Sequence, residues 1–262
     1  MKVYRVGGAI RDMLLNFPSV ENDWVVVGAT PSQLIDLQYR PVGRNFPVFI
    51  HPTTGEEYAL ARTEMKTGHG YKGFAFHADP SVTLEQDLMR RDLTINAIAE
   101  DSNGKLIDPF SGQRDLQRKI LRHVSSSFVE DPVRVLRTAR FAARYHHLGF
   151  SVASETMQLM RSMSKGTELD HLTPERVWKE TEKALLEESP HIFIEVLRQC
   201  GALKPLLPEL DQLFGVKYRN HNHQDSDRGY GALLALEKTA KLSQSGPVRF
   251  AVLTHSLGES IN

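Results

Sequence analysis

The sequence predicts a mixed α+β head followed by an all-helical body. Three observations lead there. Short β-branched runs, separated by glycine and asparagine turns, fill the first ~120 residues. From Asp131-Pro132 onward, apolar residues recur at helical spacing, and cap-then-proline pairs open the runs. No apolar stretch reaches the ~18 residues that a spanning helix needs, so no membrane segment is expected.

The head opens on Met1–Val6, which reads as a first strand and lacks the charged and apolar regions of a signal peptide. Further strands are expected at Trp24–Val27, Val48–His51, Tyr58–Arg62, Ile95–Ala99 and Lys105–Ile107. Turns at Thr54-Gly55, Asn103-Gly104 and Asp108-Pro109 separate them. Helices are expected from Gly8 to about Leu15 and over Pro31–Leu37, the second capped by Thr30. In the body, Asp131 at N-cap and Pro132 at N1 start a helix running to about His147. Helices follow at Ser154–Met163, Pro174–Leu186 and Pro190–Cys200. Lys217–Ser226 reads as a polar, histidine-bearing loop. Tyr230–Leu242 and Val248–Leu257 read as helical.

A length of 262 residues suits one large or two small domains. With 32 basic against 32 acidic residues, a nucleic-acid surface would have to come from local clustering. Cys200 is the single cysteine, so no intrachain disulfide forms, which fits a reducing cytoplasm.

Four segments carry chemistry. The first is Gly7-Gly8-Ala9-Ile10-Arg11-Asp12 followed by Glu21-Asn22-Asp23-Trp24. The glycines make a tight turn whose N–H groups can approach a phosphate. Arg11 lies one turn into the helix and can pair a phosphate oxygen, while Asp12 anchors the helix or a neighbouring arginine. Glu21 and Asp23 share a strand face, about 6–7 Å apart at ~3.3 Å per residue. Two carboxylates beside such a turn suit Mg²⁺ held against a nucleoside triphosphate. The plainer reading is a solvated strand end.

The second segment is Asp87 to Ala97, which contains Arg90-Arg91-Asp92 and Asn96. Arg91 can meet a triphosphate and Asp92 and Asn96 the ribose hydroxyls; a surface ion-pair cluster is the alternative. In the third, Glu130-Asp131 precedes Arg134, Arg137, Arg140 and Arg144, spaced three, three and four apart on one helical face. Like charges in a stripe repel, and a polyanion would relieve them, whereas a plain solvated face usually alternates sign. The fourth, Ala61 to Phe74, is rich in glycine and lysine and reads as a substrate-touching loop or a hairpin connection. His221 and His223 lack a second ligand cluster of convincing spacing for a metal.

Taken together, these motifs resemble the bacterial class II tRNA nucleotidyltransferases, the CCA-adding enzymes, in their multifunctional form. The resemblance rests on Gly7–Asp12, Arg90–Ala97 and Glu130–Phe141, with Leu172–Trp178 similar to the family's neck, and extends from Met1 to about Leu257. It implies a polymerase-β-like head over 1–125 and a helical neck with base recognition over 126–213. Residues 214–262 would be the truncated start of an HD-type helical domain. Glu21 and Asp23 would be catalytic and hold Mg²⁺. Gly8, Arg11, Arg91, Arg137 and Arg140 would hold CTP or ATP, and Asp92 would sense the ribose. Asp131 and Arg134 would read the base edge. The loop at Gly68–Gly73 would serve the switch to ATP. The implied reaction adds CMP and AMP to the tRNA 3′ end; a catalytically impaired tRNA-binding remnant, or a poly(A)- or CC-adding relative, is the alternative.

Three positions depart from the family pattern. Glu21 stands where the family has aspartate, and its longer side chain reaches ~1.5 Å further toward an ion that demands octahedral bonds of about 2.0–2.1 Å. Met65 stands where close relatives carry arginine. His255-Ser256 stands where the HD domain has its His-Asp pair, so phosphohydrolase activity is expected to be absent.

Overall fold

A computed structural model describes residues 1–18, 22–42, 48–66, 74–219 and 225–258. Glu21, Gly68–Gly73, His221 and His223 lie outside the described residues. The chain divides into two compact units, Met1–Glu130 and Asp131–Asn262.

The first unit runs β1 (Lys2–Val6), α1 (Gly8–Leu14), β2 (Asp23–Val27), α2 (Pro31–Asp36), β3 (Arg40–Val42), β4 (Val48–Ile50) and β5 (Glu57–Leu60). It continues with β6 (Thr63–Lys66), β7 (Phe74–His77), α3 (Leu84–Met89), a 3-10 turn at Thr94–Asn96, β8 (Ala99–Glu100), β9 (Leu106–Ile107), α4 (Gly112–Arg118) and β10 (Ile120–Leu121). Seven strands form one sheet in the order β3-β4-β5-β2-β1-β8-β9. Its pairs are antiparallel except β2 with β5. β6 and β7 pair separately as a hairpin.

β2 is central in the sheet, and a separate apolar cluster covers each of its faces. Alternation sends Val25 and Val27 to one side, where they pack with Val6, Ala61, Leu88 and Ala97. It sends Trp24 and Val26 to the other, with Leu34, Phe49, Tyr58 and Leu60. Trp24 lies opposite Tyr58 in the register, and their rings stack 5.5 Å apart. Thr30 caps α2 as the sequence predicts: its hydroxyl accepts from the Gln33 N–H, and the Gln33 side chain accepts from the Thr30 N–H. An equivalent box of Thr83 and Gln86 starts α3.

The expected strand at Ile95–Ala99 is a 3-10 turn followed by β8. The segment is buried throughout, so its apolar run carries no period. The Asn96 and Ala97 N–H groups turn back onto the Leu93 and Thr94 carbonyls. α4 presses on this turn through Gly112, where an added Cβ would overlap the Thr94 carbonyl oxygen.

The second unit contains α5 (Val133–Tyr145), β11 (Ser151–Val152), α6 (Ser154–Lys165), α7 (Pro174–Leu185), α8 (Pro190–Gln199), α9 (Leu203–Leu206) and α10 (Pro208–Asp211). It ends with β12 (Lys217–Arg219), β13 (Asp225–Asp227), α11 (Arg228–Leu242) and α12 (Gly246–Thr254). α5 is buried along nearly its whole length and packs on α7 and α8. The expected loop at Lys217–Ser226 instead contributes two short strands, paired Lys217 to Asp227 and Arg219 to Asp225. Polar strand residues at a surface hairpin carry no apolar alternation, so the period gives no signal there.

Candidate nucleotide site

The sheet register builds the first part of the site. Val6 pairs with Asp23, and Asp23 pairs with Glu57. Three neighbouring positions on adjacent strands therefore share one face, and the Gly7 turn leaves β1 beside them. Gly7 has φ +70° and ψ −127°, a conformation that side-chain-bearing residues rarely adopt. A Cβ there would sit 2.8 Å from Arg91 Nη1. The glycine is thus needed twice, for the turn and for the approach of an arginine. Gly8 then starts α1, and the Arg11 N–H donates to the Gly7 carbonyl at 3.1 Å.

Behind the turn lies a continuous polar network. Arg11 is buried; its Nε and Nη2 bond Asp12 Oδ1 at 2.9 and 2.8 Å, and its Nη1 donates to Asn96 Oδ1 at 2.6 Å. Asn96 Nδ2 donates to Asp92 Oδ1 at 2.9 Å, which also accepts the Leu93 N–H. Arg91 Nη1 donates to the Asn96 carbonyl at 3.4 Å and Nη2 to Asp87 Oδ2 at 3.2 Å. Arg90 Nη2 takes Asp87 Oδ1 at 2.8 Å, and the Arg62 N–H takes the same oxygen at 3.3 Å. Asp87 is fully buried. Burial pushes its carboxyl pKa up, but the Arg90 and Arg91 charges and these hydrogen bonds outweigh it and hold the pKa below the ordinary value. Arg11, from the first of the sequence segments, thus joins Arg91, Asp92 and Asn96, from the second, in one cluster.

Asp23 and Glu57 are exposed. Their donor set is carboxylate oxygen, open to water that can complete an octahedron, which fits Mg²⁺. Sequence reasoning missed Glu57, because the only signal is the parallel pairing of β2 with β5. The adjacent Glu56 serves the other face. It accepts from Asn22 Nδ2 at 2.9 Å and Trp24 Nε1 at 3.1 Å, and the Asn22 bond in particular lowers its pKa. Among the described residues, no group of three or more His, Cys, Asp or Glu side chains is placed to hold a metal.

In the second unit, α5 begins at Val133, one residue later than expected. Pro132, not Asp131, therefore occupies the cap position, and it has no side-chain cap bond; Asp131 sits one residue earlier, its Oδ1 accepting the Val133 N–H at 3.2 Å. Arg176 Nη2 also bonds Asp131 Oδ1 and Oδ2 at 3.0 and 2.9 Å. Arg176 falls within Leu172–Trp178, but nothing in that segment's sequence signals a pairing with Asp131 45 residues earlier.

The α5 arginines are not the self-repelling stripe that the sequence suggests, because acids pair with them. Arg140 is buried and donates from Nε to Glu180 Oε2 at 2.7 Å; its Nη1 reaches Glu187 Oε1 at 3.3 Å. Arg137 Nη1 lies 3.9 Å from Glu180 Oε1. The Arg140 guanidinium also covers the Phe141 ring at 4.7 Å. The acids that relieve the repulsion come from α7 and the turn after it, some 40 residues downstream. Arg134 is buried on the same helix. At the far end of the chain, His255 Nδ1 contacts the Val252 carbonyl at 2.7 Å and Nε2 contacts Ser256 Oγ at 3.0 Å.

A strand–glycine turn–helix on a mixed sheet, with carboxylates at the strand ends, defines the polymerase-β-like nucleotidyltransferase class of fold. Residues 3–122 match the family described as the poly A polymerase head domain, and residues 149–214 match the probable RNA and SrmB-binding site of polymerase A. Residues 3–122 are thus a head domain of this polymerase family. It is 61% identical over 261 residues to the multifunctional CCA protein of Teredinibacter turnerae, covering 100% of this chain and 64% of that protein. It therefore spans a little under two thirds of that relative. The Bacillus stearothermophilus CCA-adding enzyme in complex with CTP superposes with a TM-score of 0.69 at 29% identity, over 98% of this chain and 58% of that one. A tRNA nucleotidyltransferase complexed with a primer tRNA and an incoming ATP analogue gives 0.69 at 25% identity, over 99% and 76%.

Proposed function

We propose that the chain adds CMP and AMP from CTP and ATP to the 3′ end of tRNA and releases pyrophosphate. The observation that carries this reading is the register that lines up the Gly7 turn, Asp23 and Glu57 on one face. The names of the relatives favour the CCA product over a poly(A) one.

Asp23 and Glu57, together with Glu21, would hold Mg²⁺. When bound, the metal acidifies the tRNA 3′-hydroxyl and neutralises charge on the departing pyrophosphate. The chain's own residues bind and orient. The Gly8 N–H and the Arg11 and Arg91 guanidiniums receive the triphosphate. Asp92 and Asn96, oriented by each other and by Arg11, meet the ribose hydroxyls. Asp131 and Arg134 offer complementary acceptor and donor groups to the base edge, so protein side chains replace a template. Arg137 and Arg140 add charge on the same helix. Residues 1–125 act as the head, 126–213 as the base-recognising neck and 214–262 as an HD-type helical start. Ser256 stands in place of an HD aspartate, so metal-dependent phosphatase turnover is expected to be absent. The setting is cytoplasmic, in keeping with the buried free thiol of Cys200. Among the described residues, no helix is long and apolar enough to cross a membrane.

The test is incorporation of labelled CTP and ATP into tRNA lacking its 3′ CCA, with Mg²⁺, comparing the parent chain with Glu21→Asp and Asp23→Ala. Parent activity that is lost in Asp23→Ala, with products three nucleotides long, supports the reading. Activity only in Glu21→Asp assigns the chain to an impaired relative. Turnover retained by Asp23→Ala refutes the site.

A further inference from the structure

The most completely buried charge of the second unit lies outside the site just described. Arg249, in the middle of α12, is 1% exposed. An arginine has five N–H donors, and here all five meet oxygen. Nε donates to the Ser243 carbonyl at 2.8 Å, Nη1 to the Leu185 and Glu187 carbonyls at 2.7 and 2.9 Å, and Nη2 to the Ala240 carbonyl at 2.9 Å and Gln244 Oε1 at 3.0 Å. Four of these acceptors are backbone carbonyls at or just beyond the C-terminal ends of α7 and α11, where helices leave carbonyls unpaired and favour a cation. One side chain therefore finishes two helices and ties them to a third.

The α7 end it fixes is the turn that carries Glu187. The Glu187 carbonyl goes to Arg249, and its carboxylate goes to Arg140. Two residues on, the Ser189 N–H donates to the Ala143 carbonyl of α5 at 3.2 Å, seating the turn on the arginine-bearing helix. Arg140 is thus clamped between Glu180 on α7 and Glu187 on a turn whose backbone Arg249 sets.

We propose that Arg249 is a positioning residue for nucleotide binding: through the Leu185–Glu187 turn it fixes Glu187, and through Glu187 it fixes the Arg140 guanidinium. The inference rests on the assignment of Arg140 to the nucleotide. It makes α12 part of the machinery that orients the incoming triphosphate, although no residue of α12 is itself assigned a nucleotide contact.

The experiment is a double-mutant cycle on the full chain, read as the Kd for CTP in the presence of Mg²⁺ at a temperature where each variant is folded. Arg249→Lys keeps one positive charge but cannot reproduce five bonds, and should weaken CTP by about fivefold, as coupled neighbours do. Glu187→Gln should weaken it to a similar degree. The double variant should be no weaker than Glu187→Gln alone, because the path from Arg249 to Arg140 is already cut. Losses that multiply, or an Arg249→Lys variant that binds CTP like the parent, overturn the proposal.

Should Arg249→Lys lack a cooperative melt, Gln244→Ala carries the same cycle from an exposed position. It strips one of the five acceptors; a raised Kd in the parent background that vanishes with Glu187→Gln supports the relay, and an unchanged Kd overturns it. Arg140→Ala separates the two layers of the argument. If that variant binds CTP like the parent, the nucleotide assignment has failed. If it weakens binding while Arg249→Lys does not, the relay alone has failed.

Discussion

Gly7 and Gly8 are neighbours in one motif, yet the structure assigns them opposite costs. At Gly7 an alanine must hold φ +70°, ψ −127°, which costs about 1–3 kcal/mol. Its Cβ would also stand 2.8 Å from Arg91 Nη1. The guanidinium has to retreat, giving up its 3.4 Å bond to the Asn96 carbonyl and loosening its 3.2 Å pair with Asp87. That pair is only partly buried, so its loss adds about 1 kcal/mol. The sum for Gly7→Ala is about 2–4 kcal/mol. Gly8 has no positive φ, and the nearest atom to its Cβ is Arg11 Nη2 at 3.5 Å, an ordinary contact. It opens a helix, where alanine gains up to ~1 kcal/mol over glycine. Gly8→Ala should leave stability unchanged or slightly raised.

The assay is urea unfolding of the head. Trp24 reports on it in a Trp178→Phe background, since these are the two tryptophans of the chain and Trp178 is 45% exposed. At an m-value near 2 kcal/mol/M, the Gly7→Ala midpoint should fall by roughly 1–2 M, with m unchanged. Equal midpoints for the two variants would show that the turn tolerates a side chain, and the case for a glycine-gated approach of Arg91 would collapse.

Two further predictions concern carboxylates that hold arginines. Asp87→Asn leaves the partly buried Arg90 and Arg91 facing a neutral amide, and should destabilise the head by about 2–3 kcal/mol, roughly 1 kcal/mol or a little more per pair. Because the folded pKa of Asp87 is depressed, its contribution is present above the ordinary value of 3.8 and is lost as the pH falls below it; the parent should lose head stability over that range more steeply than Asp87→Asn, by the same urea assay. Asp131→Ala removes both the acceptor of the Val133 N–H and the Arg176 pair, and should cost about 1–2 kcal/mol in a thermal melt. In competition assays it should degrade the choice of CTP and ATP over UTP and GTP more than it weakens triphosphate binding, and unchanged choice refutes base reading by Asp131.

The features legible in the sequence are those whose cause is local. The Thr30 cap and the Gly7-Gly8 turn each depend on residues within four positions of one another. The α3 box, Thr83 with Gln86, is local in the same way. What was not legible depends on partners far along the chain. Ile95–Ala99 is apolar enough for a strand, yet Asn96 is drawn into a turn by hydrogen bonds whose partners include Arg11, 85 residues earlier. Glu57 looks like any strand-initial acid until β5 lies parallel to β2. The arginine stripe of α5 reads as unbalanced because Glu180 and Glu187 belong to a later element.

One regularity joins both units. Three of the arginines assigned to the nucleotide are held by an acid or an amide already in place: Arg11 by Asp12 and Asn96, Arg91 by Asp87, Arg140 by Glu180 and Glu187. Buried ion pairs of this kind are poor investments in stability, since well-packed apolar residues of similar volume often serve as well or better. Their value lies in geometry. A guanidinium fixed at two or three nitrogens has little conformational freedom left to lose when a triphosphate arrives, and the field it presents is set before binding. The same fixing limits how many donors remain for the ligand. Arg11, with Nε, Nη1 and Nη2 all engaged, can act on a phosphate chiefly as an oriented charge, whereas Arg91, with a single long bond at Nη1, has more donor capacity to turn toward it. If so, Arg91→Lys should cost more CTP affinity than Arg11→Lys, because lysine replaces a charge better than it replaces a planar fork.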